Sequence, residues 1–218
     1  MKKMRERPII FNADMVRAVL DGRKTQTRRI IKLDHERGMQ NPVVRGKGGA
    51  VSYVGCRLAA TLCPLGAVGD RLWVREAFRV HSRATDVATL VYKASEQQSW
   101  TQQTHRVPIE KCIKPAVVDK WTPSIHMPRW ASRITLEITG VRVERLQDIS
   151  EHDSVAEGVP PAGDLLPDYP DTYLTPKGDF ATAKVAFQRL WASIYGADSW
   201  QANPWVWVIE FKRVEVER

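Results

Sequence analysis

Met15, Val16, Val19 and Leu20 recur at helical spacing and give one apolar stripe, which predicts a short helix over Ala13–Leu20. Asn12 and Asp14 offer oxygens to cap it, and Gly22 stops it because glycine takes the left-handed cap at little cost. From Lys24 to Ile31 the pattern changes to a β-branched, strand-like run. Gly69-Asp70 reads as a turn into a strand over Arg71–Arg75, and Val87–Tyr92 reads as another strand. A long strand follows with Ile134, Leu136 and Ile138 on one face; at Gly140 the apolar phase slips to Val141 and Val143. One extra residue at a glycine reads as a β-bulge, a device that helps a sheet close. Ile149–Glu157 predicts a second short helix, with Ser150 and Asp153 as a capping pair and Gly158 as its stop. Phe180–Tyr195 is amphipathic, with Ala183, Phe187, Leu190, Trp191 and Ile194 along one face. The chain closes on a strand in which Trp205, Trp207, Ile209 and Phe211 alternate with Val206, Val208, Glu210 and Lys212.

Three stretches lose this periodicity: 34–66, rich in glycine; 95–131, with four prolines; and 159–178, rich in proline and aspartate. They read as loop insertions in one domain spanning 1–218, with no repeat and no linker between two cores. The expected fold class is α+β: a small β-barrel of about five or six strands, flanked by short helices, with a mouth for a ligand. Gly46-Lys47-Gly48-Gly49 lacks the order and the preceding strand of a phosphate loop and is rejected as one.

Charge changes this picture. Residues 1–60 hold 14 Lys+Arg against 5 Asp+Glu, so the chain's net charge of +8 comes from its first quarter. An anionic partner met by that segment is one reading, and a solvated basic surface is the other. No apolar run approaches the ~20 residues of a membrane helix. The basic start, Met1–Arg7, has no apolar signal core behind it, so a cytoplasmic protein without membrane contact is expected. Cys56, Cys63 and Cys112 form no CxxC, and the histidines form no HxxxH. Neither a disulfide framework nor a zinc site is expected, and no cofactor is implied.

Four motifs, in order, carry a resemblance. Gly22-Arg23-Lys24-Thr25-Gln26-Thr27-Arg28-Arg29 follows the first helix, and Gly69-Asp70-Arg71-Leu72-Trp73-Val74 forms a turn and strand. Thr135–Gly158 gives a strand, bulge and helix with a terminal Glu157, and Val208-Ile209-Glu210-Phe211 closes the chain. Together they resemble the ASCH domain family, a branch of the PUA-like fold whose larger members occur in phages and prophages. The resemblance covers about half the chain. Small bacterial members of that family include N4-acetylcytidine amidohydrolases, which work with a Lys, a Thr and a Glu. The resemblance implies Lys24 as proton acceptor, Thr27 as nucleophile and Glu157 as proton donor.

The chemistry sets conditions on this assignment. A threonine hydroxyl needs a base, and lysine serves if desolvation or nearby cations such as Arg23, Arg28 and Arg29 lower its pKa. On a regular strand Lys24 and Thr27 face opposite sides, so the turn after Gly22 must hold Lys24 off the pleat. Glu157 falls in a helix's last turn, where unpaired carbonyls favour its protonated form; the alternative is an exposed carboxylate paired with an arginine. Arg29 suits a carbonyl or phosphate, while Arg23 and Arg28 are either substrate contacts or surface charge. In the loop Trp121–Trp130, Arg129 and Trp130 suit base stacking, or else the tryptophans plug the barrel. Trp73, Trp205 and Trp207 read as core, and His152 as helix surface. The expected partner is a modified nucleoside or RNA. A non-catalytic RNA or modified-base binding module and a metal-independent ribonuclease are the alternatives.

Overall fold

The computed structural model describes residues 4–32, 42–45 and 51–215, with main chain only at 51–53. The glycines at 38, 46, 48 and 49 fall outside the described residues. The chain forms β1 (Glu6–Ile10), α1 (Ala13–Leu20), β2 (Gln26–Ile30), β3 (Val43–Arg45), β4 (Val51–Tyr53) and α2 (Cys56–Thr61). There follow β5 (Arg71–Arg75), β6 (Phe78–Arg83), β7 (Val87–Tyr92), α3 (Trp100–Gln103), β8 (Thr104–Pro108) and β9 (Thr135–Arg145). The last third holds α4 (Glu151–Ala156), β10 (Tyr173–Leu174), β11 (Phe180–Ala181), α5 (Ala183–Tyr195), α6 (Asp198–Gln201) and β12 (Trp205–Val214). The fold is α+β. It divides into two compact units of interleaved segments: 1–20, 70–137 and 213–218 in the first, 21–69 and 138–212 in the second.

In the first unit β1 runs parallel to β5, and β5 pairs antiparallel with the start of β9. The turn into β5 is fastened by Asp70, buried, which accepts a hydrogen bond from the Arg5 amide at 3.1 Å. A separate antiparallel sheet, β6-β7-β8, buries Phe78, Val80, Ala88, Leu90 and Tyr92 against Met127 and Ala131. The Tyr92 hydroxyl is satisfied there by donating to the Ala131 carbonyl at 2.8 Å. Trp73, expected in the core, is only half-buried, with the Arg75 and Arg129 guanidinium groups 5.5 and 5.9 Å from its ring centre.

In the second unit β9, β12 and β2 are neighbours in that order. Both faces of β12 are buried: Val206 and Val208 pack with Phe187, Trp191 and Trp200, while Trp205, Trp207, Ile209 and Phe211 are buried on the other. Full burial of side chains this size stabilises by about 1.5–3 kcal/mol each, which fixes the strand's register against β2. The phase slip at Gly140 is real: Leu136 and Ile138 are buried before it and Val143 after it. A Cβ at Gly140 would lie 2.4 Å from a Glu210 carboxylate oxygen, so any larger residue there would oblige the Glu210 side chain to turn aside.

The slip does not close a barrel. The sheets are open: β1 has β5 as its neighbour and β2 has β12, and both are edge strands. The stretches read as insertions also carry structure, with β3, β4 and α2 in the first, α3 and β8 in the second, and β10 in the third. Strands of two or three residues are too short to show a period. Phe180 belongs to β11 rather than to the helix, which starts at Ala183. Among the described residues no helix is long and apolar enough to cross a membrane.

Candidate functional site

The site is built by three devices of the second unit. Gly22, at φ +77°, ends the turn after α1, and Lys24 then forms an isolated antiparallel bridge with Glu157 just before β2 begins. α4 is started by the Ser150 hydroxyl, which accepts from the Asp153 amide at 3.0 Å, and is ended by Gly158 at φ +91°. Glu157 is its C-terminal cap. The Thr25 amide, donating to the Ala156 carbonyl at 2.9 Å, ties the two segments together.

Lys24 Nζ donates to Glu157 Oε2 at 2.7 Å and to the Glu157 carbonyl at 2.8 Å. Their side chains are 1% and 4% exposed, so Glu157 is not the exposed helix-end carboxylate of the alternative reading. Burial pushes the Lys24 ammonium below its ordinary range; Glu157 opposes this, and Arg29 and Arg28 add to it. Arg28 is the second partner of Glu157, reaching Oε1 at 3.0 Å. It is not surface charge: its side chain is fully buried, and it also contacts Glu144 at 2.5 Å and Asp153 at 3.2 Å. Its guanidinium carbon lies 5.7 Å from the Phe187 ring centre.

The network extends outward through Arg142. That residue binds Asp153 at 2.6 Å, Glu144 at 3.1 Å and Glu210. Burial alone would raise the Asp153 pKa, but Arg142 and Arg28 together hold it below the usual carboxylate value. Gln26 completes this wall by donating to the Asp153 carbonyl at 2.6 Å. Arg142, Glu144 and Gln26 were not singled out in the sequence, and Asp153 was read only as a helix-capping residue. The one signal was the even spacing of Gln26 and Arg28 on one face of β2, matched by Arg142 and Glu144 on β9.

Thr27 stands apart from these partners. Gln26 and Arg28 both reach the Asp153 side, so the alternation of β2 sets Thr27 on the opposite face, beside Ile209 in register. It is completely buried, and among the described residues its hydroxyl has no hydrogen-bond partner. Lys24 lies outside the strand, as the chemistry requires, but its ammonium is turned to Glu157. Leaving a buried hydroxyl unpaired costs about 1–3 kcal/mol, and such a group calls for an explanation.

The remaining candidates are placed elsewhere. Arg23 donates to the Gly158 carbonyl at 2.9 Å and pairs with Asp21, beside the Lys24 bridge. Arg29 reaches the Tyr195 hydroxyl at 3.5 Å. Arg129 and Trp130 belong to the first unit, where Arg129 pairs with Glu6 at 3.0 Å and Trp130 packs edge-on to Phe78. His152 is a surface residue with its side chain 93% exposed. Cys56, Cys63 and Cys112 form no disulfide, and no cluster of potential metal ligands occurs among the described residues. No family model, no curated protein and no solved structure matches the chain.

Proposed function

We propose that this protein is an ASCH-type, PUA-like amidohydrolase that removes an acyl group from the exocyclic nitrogen of a cytosine nucleoside such as N4-acetylcytidine. The observation that carries this reading is the Thr27 hydroxyl, buried and unpartnered among the described residues, three residues from a buried lysine of lowered pKa that contacts a buried glutamate. In this reading Lys24, in its neutral form, takes the Thr27 proton as the hydroxyl oxygen attacks the acyl carbon. Lys24 Nζ turns from Glu157 toward Thr27 to do so. The tetrahedral intermediate then expels the cytosine amine, which receives its proton from Glu157. Water hydrolyses the acyl-threonine, so acyl-cytidine and water give cytidine and a carboxylic acid. Arg28, held by three carboxylates, fixes the position of Glu157 and need not touch substrate.

The opposite-face placement of Thr27 favours a second reading. Lys24 and Glu157 would then move protons without a hydroxyl nucleophile, as a metal-independent ribonuclease would use them. Hydrolysis of N4-acetylcytidine by wild type, Lys24→Ala, Thr27→Val and Glu157→Gln separates the two. Turnover lost in all three folded variants supports the amidohydrolase. Turnover that survives Thr27→Val removes the nucleophile assignment, and an inactive folded wild type sinks the amidohydrolase for this substrate.

A further inference from the structure

The near-neutral sum over residues 61–218, 19 Lys+Arg against 20 Asp+Glu, hides two segments of opposite sign. Residues 138–212, in the second unit, hold 6 against 11, whereas residues 78–125, in the first, hold 7 against 4. The basic segment is built around the β6-β7-β8 sheet. The inner face of that sheet is the apolar cluster of Phe78, Val80, Ala88 and Leu90, so alternation turns Arg79, His81 and Thr89 to the other face.

This outer face sets aromatic rings beside cations. The segment 117–122 runs along β6, joined by the Val117 amide donating to the Val80 carbonyl at 2.9 Å and by bonds both ways between Phe78 and Thr122. It brings Trp121 to Arg79, whose guanidinium carbon lies 4.7 Å from the ring centre. Past the bulge at His81, Trp100 of α3 meets the His81 ring edge-on at 4.8 Å. Trp100 is 52% exposed, the one exposed tryptophan of the eight in the chain. Ser82, Thr89 and Arg106 are register partners across the three strands, so two hydroxyls and a guanidinium form one row. Among the described residues Arg79 and Arg106 form no ion pair. Two guanidinium groups without carboxylates draw an anion, and an indole left in water offers a face for stacking.

We infer that this face is a docking surface for single-stranded RNA, an interaction beyond the amidohydrolase reading and independent of it. A duplex keeps its bases stacked on one another, whereas a single strand frees a base to stack on Trp100. Trp121 holds Arg79 in place, and Arg79 and Arg106 take phosphates. A ribose 2′-hydroxyl both donates and accepts, so the row of Ser82 and Thr89 hydroxyls suits RNA and finds no such partner in DNA.

Fluorescence anisotropy of a labelled single-stranded RNA of about 12 nucleotides, titrated with the full chain, tests this. Trp100→Ala, confirmed as folded by circular dichroism, weakens binding about tenfold, while Trp100→Phe, which keeps a stacking face, retains most of the affinity. Arg106→Ala weakens binding and lowers the slope of log affinity against log salt by about 0.7, a change that a merely structural role would not produce. Arg57→Ala, an exposed cation of the second unit, leaves affinity and slope unchanged. DNA of the same sequence binds about tenfold more weakly than RNA. No binding of the RNA, DNA bound as tightly, or an affinity that folded Trp100→Ala and Arg106→Ala leave unmoved overturns the inference. Poly-glutamate bound as tightly as the RNA overturns it in favour of an acidic protein partner.

Discussion

Each unit buries a carboxylate against a cation, and the two sites are built differently. In the first, Glu76 is gripped by both nitrogens of the Arg133 fork, at 2.9 and 3.0 Å, and Arg133 also bonds Ser95 and covers the Tyr92 ring at 4.0 Å. Burial pushes the Glu76 carboxyl up despite Arg133. In the second, Glu157 divides its oxygens between a lysine and an arginine, the arginine branches to two more carboxylates, and the Thr27 hydroxyl on the opposite face of β2 is unpaired among the described residues. A closed bidentate pair uses its capacity on itself. A buried lysine of lowered pKa, whose carboxylate partner is shared with an arginine, has not closed on itself in that way.

The largest contrast is in turnover. Lys24→Ala is expected to lower kcat/KM for N4-acetylcytidine by about 10³-fold or more, as loss of a positioned base does, while Glu76→Gln leaves turnover per folded molecule near wild type. Equal losses in both variants would erase the distinction. Next comes stability. Glu76→Ala leaves the Arg133 charge buried without its partner and should cost about 3–5 kcal/mol in denaturant unfolding.

Thr27→Val is the sharper test, because it exchanges an unpaired hydroxyl for a methyl of equal size. It should raise stability by about 1 kcal/mol while abolishing turnover. A stability loss would mean that the hydroxyl has a partner in solution and is structural.

The smallest effects are in pH dependence. The Lys24 pKa in the folded protein lies below its ordinary 10.5. Between those values the unfolded chain binds more protons, so this group makes stability rise with pH across that window. The Glu76 pKa lies above its ordinary 4.5, the folded chain binds more protons between those values, and stability falls as pH rises through them. Unfolding of wild type against Lys24→Met and Glu76→Gln over these windows should show slopes of opposite sign. Slopes of the same sign would contradict the burial of one group.

The sequence by itself determined the elements with a full period: α1, the run into β2, β5, β7, the slip at Gly140, α4 with its Ser150 and Gly158 ends, and β12. Their signals are local, since caps, glycine stops and alternation act within a few residues. The resemblance to the ASCH family, and not a local signal, marked Lys24 and Glu157, which form one buried pair although 133 residues separate them. Only the tertiary structure decided that the sheets stay open, because closure depends on how edge strands meet and not on any one strand's pattern. Only it decided that Arg28 is a buried hub, that Arg142, Glu144 and Asp153 join it, and that Thr27 has no hydrogen-bond partner among the described residues. A charged residue reads the same in sequence whether it meets water or three carboxylates, and burial and pairing belong to the packing of β2, β9, β12 and α4.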